Sequence, residues 1–360
     1  MYLYDFTKDT ILNKYSIDPR SNCYYENSVF LYDKPQIKLS IIVPCYNSEK
    51  YLEKCIDSLV MQKSCYDYEI LMINDGSTDG TLKILDAYQK KYSDIRVISQ
   101  ENKGFSGARN RGIRESKGQY LMFVDSDDYV SDGYINALLE SAICNNADIA
   151  TCGYHTFRGN TIIKTVSPCG KSDRTMLNGC FWGKVFRREL FSHIMLPEGY
   201  WYEDSILAHL IYPNIERFVS TDKCYYEYRS NPEGITLASV GKPKALDTVY
   251  ITDLMIRTAE KINKKNYMQG QQYNELLLEQ FFLNERRLEK HSKECKKEVF
   301  RLQSIFYKNY KNNQPSTKGY LITYRKALLK GSYIQSRIVL KIYKIHKLIN
   351  LIKSKLEGGI

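Results

Sequence analysis

Between Lys38 and Asn146, apolar runs too continuous for half-exposed strands take turns with segments that are apolar along one helical side, and this alternation constrains the fold most. LSIIVPCYN (39–47) is the first run, broken by Pro44 and ending in a polar tail. It reads as a strand buried on both faces. SEKYLEKCIDSLV (48–60) follows, with apolar residues at 51, 52, 55, 56 and 59 on one helical face and Ser48 as the expected N-cap. YEILMIND (68–75), IRVISQ (95–100) and QYLMFVD (119–125) repeat the strand signal. GSTDGTLKILDAYQKKY (76–92), SGARNRGIRESKG (106–118) and DGYINALLESAICNN (132–146) repeat the helical one, the second of them ended by Gly118. Such an alternation implies an α/β fold with a mostly parallel sheet. In these sheets ligands bind outside the carboxyl ends of the strands. Tyr46–Asn47, Asn74–Asp75 and Asp125–Asp128 all fall at such ends, so three separate segments are expected on one rim.

Beyond residue 150 the alternation weakens. ADIATCGY and TIIKTV pair as expected strands, CFWGKVFRRELF turns from strand or short helix into helix, and RFVS and CYYEYRS read as two short strands. WYEDSILAHLIY reads as a helix with Glu203 and Asp204 in its first turn, where the macrodipole favours acids. From about 240 the pattern is helical. The implied organisation is an N-terminal extension (1–37), an α/β domain (38–237) and a helical C-terminal region (238–360).

The stretch MFVDSDDYV (122–130) places three aspartates in four positions directly behind a buried strand. Paired carboxylates on a tight loop form a hard, oxygen-only donor set suited to Mg²⁺ or Mn²⁺ rather than zinc. Such an ion takes one or two carboxylates and completes its shell with water and substrate phosphates. Asp125 and Asp127, held on one tight loop by the strand, are expected to bind a metal or a nucleotide. Asp128 alone reads as a solvated or capping group, with Ser131 or Asp132 starting the next helix.

Four ordered motifs, SIIVPCYNSEKYLEKCIDSL, ILMINDGSTDGT, NKGFSGARNRGI and YLMFVDSDDYV, resemble those of the family 2 glycosyltransferases, whose catalytic domain has the GT-A fold. The resemblance covers roughly 38–235 and returns in VFRRELF, GYWYEDSILAHL and CYYEYRSNPEGIT. It implies a nucleotide-diphospho-sugar donor, most often UDP-linked, a divalent cation, and inversion at the anomeric carbon. Carried over by position, Pro44 and Tyr46 resemble the residues lining the uracil pocket, and Asp75 the carboxylate that accepts from the uracil imide or a ribose hydroxyl. Arg109 resembles the donor-contacting arginine. Asp125-Ser126-Asp127 resembles the DXD motif, with Asp125 toward the ribose or a metal-bound water and Asp127 on the metal. Asp204 is carried over as the base that deprotonates the acceptor, Glu203 as an acceptor-side orienting group, and Arg229 as a clamp on the diphosphate. Trp182 is a weaker candidate for stacking on an acceptor sugar. The chain lacks the QxxRW motif of processive members, which favours adding one sugar, or short runs, to a carrier-linked acceptor.

Ten cysteines lie without CxxC or ligand-like spacing, as in a cytosolic protein with reduced thiols. No signal peptide and no run of about 18 apolar residues is evident. The net charge of +11 concentrates at the end: Lys318 to Lys355 holds ten Lys or Arg and no acid. Within it, RIVLKIYKIHKLINLIKSKL (337–356) reads either as a basic amphipathic helix on an anionic membrane surface or as a helix packed on its own domain. Two competing functions are a non-catalytic sugar-nucleotide-binding relic and a basic nucleic-acid-binding protein. The first predicts loss of Asp127 or Asp204, and both are present; the second sits badly with an acidic rim.

Overall fold

The computed structural model describes residues 35–173, 176–192, 194–231, 241–262, 270–309 and 319–357. They fall into two compact units, divided near residue 234. Most of the expected N-terminal extension lies outside the described residues, as does the segment 232–240 that follows Arg229.

The first unit is the expected α/β architecture. β1 (Ile37–Cys45), β2 (Tyr68–Asp75), β3 (Ile95–Gln100) and β4 (Gly118–Phe123) lie parallel, with α1 (Leu52–Val60), α2 (Thr81–Lys91) and α3 (Gly104–Glu115) between them. The middle strands β1 and β2 are almost wholly enclosed, which is why their sequences run apolar without alternation. Beyond β4 come β5 (Tyr129–Val130), α4 (Tyr134–Cys144), β6 (Ile149–Arg158), β7 (Thr161–Val166), β8 (Lys184–Arg187) and β9 (Phe218–Arg229). The strand order is β3-β2-β1-β4-β8-β6-β9-β5, with β7 added to β6 as the expected hairpin. β8 runs antiparallel to both β4 and β6, whereas β9 runs parallel to β6. β2 and β4 therefore flank β1 on opposite sides, and the loops leaving β1 and β4 open side by side at the point where the order reverses.

Several local readings change. Ser48 does not cap α1, which has no side-chain cap; its hydroxyl is spent across the sheet on Ser126. α3 ends at Glu115, and Gly118 opens β4, where an added Cβ would stand 2.3 Å from the Ser40 backbone nitrogen. α4 starts behind Gly133 in a left-handed conformation rather than on a Ser131 or Asp132 cap. The Ser131 hydroxyl instead accepts from the Tyr225 N–H at 2.9 Å. RFVS and CYYEYRS join as the single strand β9, because an irregularity opposite Cys152/Gly153 absorbs the polar residues between them. The helix expected over 201–212 is one short α-turn (Asp204–Ile206) followed by π and 3-10 turns that run to Asn214.

The second unit contains α5 (Asp247–Ile262), α6 (Gln271–Arg287), α7 (Lys293–Asn309), α8 (Gly319–Lys330) and α9 (Tyr333–Glu357). Leu277, Phe281, Phe282, Tyr324 and Leu328 are among its core residues. The long helical pattern after residue 274 breaks at 288–292, where the Ser292 hydroxyl accepts from the Cys295 N–H at 3.1 Å and starts α7.

Candidate active site

Three loops build the rim. After β1, Tyr46 stands 52% exposed while Asn47 takes a left-handed turn (φ 47°). The Asn47 side-chain oxygen accepts from the Thr78 N–H at 2.8 Å, so the loop after β2 is tied to the loop after β1. The Ser48 and Ser126 hydroxyls bond at 2.7 Å, which ties the loop after β4 to the same place. Pro44 pairs opposite Ile73 inside the sheet. Asp75 is buried at the end of β2 and accepts from Gln100 Nε2 at 2.7 Å and the Lys103 N–H at 2.9 Å.

The acidic loop is clasped by the end of β9. The Asp125 N–H donates to the Tyr226 hydroxyl at 3.0 Å. Asp128 accepts the Arg229 N–H at 2.6 Å, and Arg229 Nε donates to the Asp127 carbonyl at 2.6 Å. The Arg229 guanidinium also lies over the rings of Tyr51 and Phe157, 4.2 and 4.6 Å from their centroids. Asn231 donates to the Asp127 carboxylate at 3.2 Å. Asp128 is therefore neither solvated nor a cap: it is 1% exposed and fastens two strands' ends together. Burial, then Asp127 and Asp125, push its carboxyl well above the usual carboxylate range. Burial and the neighbouring Asp125 raise Asp127 as well.

Arg109 joins this loop to the second pair of acids. It is buried in α3 and bonds Asp125 at 2.8 Å with one terminal nitrogen and Glu203 at 2.5 Å with the other, its guanidinium 4.9 Å from the centroid of the Phe181 ring. Burial pushes the Glu203 carboxyl up to about 7, with Arg109 acting against that rise and Asp204 adding to it. Tyr202, just before these acids, adopts φ 70°, a left-handed conformation costly for an aromatic residue and found where a backbone is being aimed.

Residues 178–184, in which the sequence suggested only Trp182, complete the site. The Asn178 carbonyl accepts from the Tyr212 hydroxyl at 2.5 Å, and its side-chain oxygen accepts from Lys184 Nζ at 2.7 Å. Lys184 is wholly buried and also donates to the Cys180 carbonyl at 2.8 Å; burial lowers its pKa to about 8. Gly179 lies so near Asp204 that an added Cβ would stand 3.2 Å from its Cβ and its Oδ2. Burial raises the Cys180 thiol to about 11; Lys184 opposes this, while Asp204, Asp125 and Glu203 add to it, so all three acids lie within electrostatic reach of one sulfur. No motif pointed to Gly179, Cys180 or Lys184, because their roles arise from packing. Trp182 is stacked on Tyr226 (4.6 Å) and Tyr228 (5.1 Å) and only 8% exposed, so it serves the core of the site's wall rather than presenting a free ring.

Residues 40–194 match the family model described as "Glycosyl transferase family 2". This part of the chain is a family 2 glycosyl transferase domain. The chain is 36% identical over 216 residues to an uncharacterized glycosyltransferase, EpsJ, of Bacillus subtilis, covering 55% of this chain and 62% of that one. It is 40% identical over 166 residues to a poly(ribitol-phosphate) beta-glucosyltransferase of Bacillus spizizenii, covering 45% of this chain and 26% of that one. The chain thus spans less than two thirds of the length of these relatives. Among solved structures, residues 1–349 of TarS from S. aureus, in complex with UDP-GlcNAc, superimpose with a TM-score of 0.68 at 21% identity, covering 86% of this chain and 92% of that one. That likeness is one of fold, and it is the expected GT-A fold.

The family 2 domain's acidic loop suits a divalent cation. Its side-chain donors at Asp125 and Asp127 are carboxylate oxygens, and burial, with Asp125 beside it, raises the proton affinity of Asp127. Among the described residues no three His, Cys, Asp or Glu side chains form a complete cage, so any ion here would share its shell with other oxygens.

Proposed function

We propose that this protein transfers a sugar from a nucleotide-diphospho-sugar, UDP-linked, to a saccharide or lipid-linked acceptor with inversion, in the assembly of a cell-surface polysaccharide. The observation that carries this reading is the gathering of Asp125, Glu203 and Asp204, from two separate segments, around Arg109 and Cys180. Sugar transfer with inversion uses acids on both the leaving-group side and the nucleophile side, and the two segments bring them together. The solved complex of TarS with UDP-GlcNAc supports the UDP donor, and the poly(ribitol-phosphate) relative supports a cell-wall glycan as acceptor.

In this mechanism Tyr46 stacks on the base beside Pro44, and Asp75 accepts from the base or ribose. Asp127, with Asp125, would hold Mg²⁺ or Mn²⁺, and the ion would supply positive charge that stabilises the departing diphosphate. Arg229 and Ser126 flank that diphosphate. Asp204 takes the proton of the acceptor hydroxyl as its oxygen attacks the anomeric carbon from the side opposite the leaving group. Glu203 keeps Arg109 in place and so orients Asp125. The enzyme acts in the cytoplasm, at the inner face of the cell membrane when its acceptor is lipid-linked.

The test is a thermal-shift and calorimetric panel of UDP-, GDP-, dTDP- and CMP-sugars with and without Mn²⁺. The expected result is a metal-dependent rise with one UDP-sugar, lost in Asp127→Asn while the fold is retained. Unchanged UDP-sugar affinity of Asp127→Asn with Mn²⁺ present overturns the metal assignment. Binding without turnover, for every acceptor offered, favours the non-catalytic reading.

A further inference from the structure

Helix α9 is apolar on two sides, and only one of them is packed. Ser336, Val339 and Leu340 are buried, and Tyr343 meets Phe282 and Tyr320 with ring centroids 5.0 Å apart in each case. This side belongs to the core of the helical unit. On the other side, Ile334, Ile338, Ile342, Ile345 and Ile349 recur at steps of four, four, three and four, with Leu348 beside them, and each is between 42 and 74% exposed. Residues so spaced form one stripe along a helix. An apolar stripe of this length turned outward from an otherwise well-buried bundle marks a surface that is covered in use.

The charges around the stripe select its occupant. Lys341 is exposed within the stripe, and Lys344 at its edge pairs with Glu289. From Lys318 to Lys355 the sequence has no acid. A second copy of the same helix would set lysine against lysine over the apolar contact. A surface of anionic lipid headgroups over acyl chains complements both features at once: the isoleucines enter the headgroup–acyl boundary and the lysines meet the phosphates. We propose that the outer stripe of α9 seats this protein on an anionic membrane surface. α9 packs on its own helical unit and still presents a second apolar face. This surface stands whether or not the first unit transfers sugar.

The experiment is co-sedimentation of the full chain with vesicles of phosphatidylcholine alone or mixed with phosphatidylglycerol, at low and high salt. The protein is expected to partition to the mixed vesicles at least tenfold better than to phosphatidylcholine, and less well as salt rises. The double variant Ile338→Asn/Ile345→Asn, both at exposed positions, is expected to lose at least tenfold in partitioning with an unchanged melting temperature. Lys341→Gln is expected to lose about fivefold. Equal partitioning of the isoleucine variant and the parent overturns the proposal, since charge alone would then carry binding. So does absence of vesicle binding together with a dimer in sedimentation velocity that the isoleucine variant abolishes, which would give the stripe to a second copy.

Discussion

Glu203 in the α/β unit and Glu285 in the helical unit are both driven by burial to a pKa of about 7, and both face an arginine. Their surroundings differ. Glu285 is closed in by its own bundle: it accepts from the Tyr324 hydroxyl at 2.5 Å and from the Ser336 hydroxyl at 3.3 Å, with Arg337 at 3.6 Å. Glu203 has Asp204 beside it in sequence and shares its arginine with Asp125, which arrives from another strand end. A displaced proton affinity is thus common to both units, whereas convergence of acids from separate elements at strand ends occurs at the first. The helical unit uses its buried acid to knit helices, and the α/β unit uses its own to aim a cation.

The widest gap between the two units is expected in turnover. Asp204→Asn should bind the UDP-sugar as the parent does and lose transfer by about two to four orders of magnitude, the range of general-base catalysis, read in a steady-state assay. Glu285→Gln should leave transfer untouched; a comparable loss there would erase the distinction. The next effect is on stability. Each of these acids binds its proton more tightly folded than unfolded, so the folded state holds the extra proton between about pH 4.5 and 7 and stability falls as pH rises through that window. For Glu285 the loss is about 3 kcal/mol. Melting temperatures of Glu285→Gln across this window should therefore fall less steeply than the parent's, and an unaltered slope would show that Glu285 is ionised at little cost. Gly179→Ala sharpens the comparison from the active-site side. Its methyl group would press on Asp204, so kcat should fall on the order of tenfold with donor KM and melting temperature unchanged. A change in KM alone would detach Gly179 from the base. The smallest effect belongs to the surface of the helical unit: Lys344→Gln breaks an exposed pair with Glu289 and should change stability by less than about 1 kcal/mol in denaturant titration.

The strands and helices up to Cys144 were legible because β1, β2 and β4 are buried on both faces and α1 on one, which leaves a plain mark in residue order. The fused β9 was not, since Asp222 and Lys223 look like a turn and only the irregularity against β6 lets the strand continue. The residues gathered at the rim were legible through their motifs, but their couplings were not. Ser48 looked like a cap and Asp128 like a solvated acid, because their partners, Ser126 and Arg229, are far away in sequence. Lys184 and Gly179 carry no local signature at all; a buried ammonium caged by carbonyls and a glycine under a carboxylate become visible only in three dimensions.

The two-sided grip of Arg109 also has a consequence for substitution. Its side chain is 7% exposed and spans Asp125, in the loop after β4, and Glu203, just before the α-turn at 204–206. Losing either acid leaves one end of a buried guanidinium without its partner, a change that costs about 1–3 kcal/mol before any chemistry is affected. Positions 109, 125 and 203 therefore form one physical unit, and a substitution at one of them is expected to be tolerated best when the other two change with it.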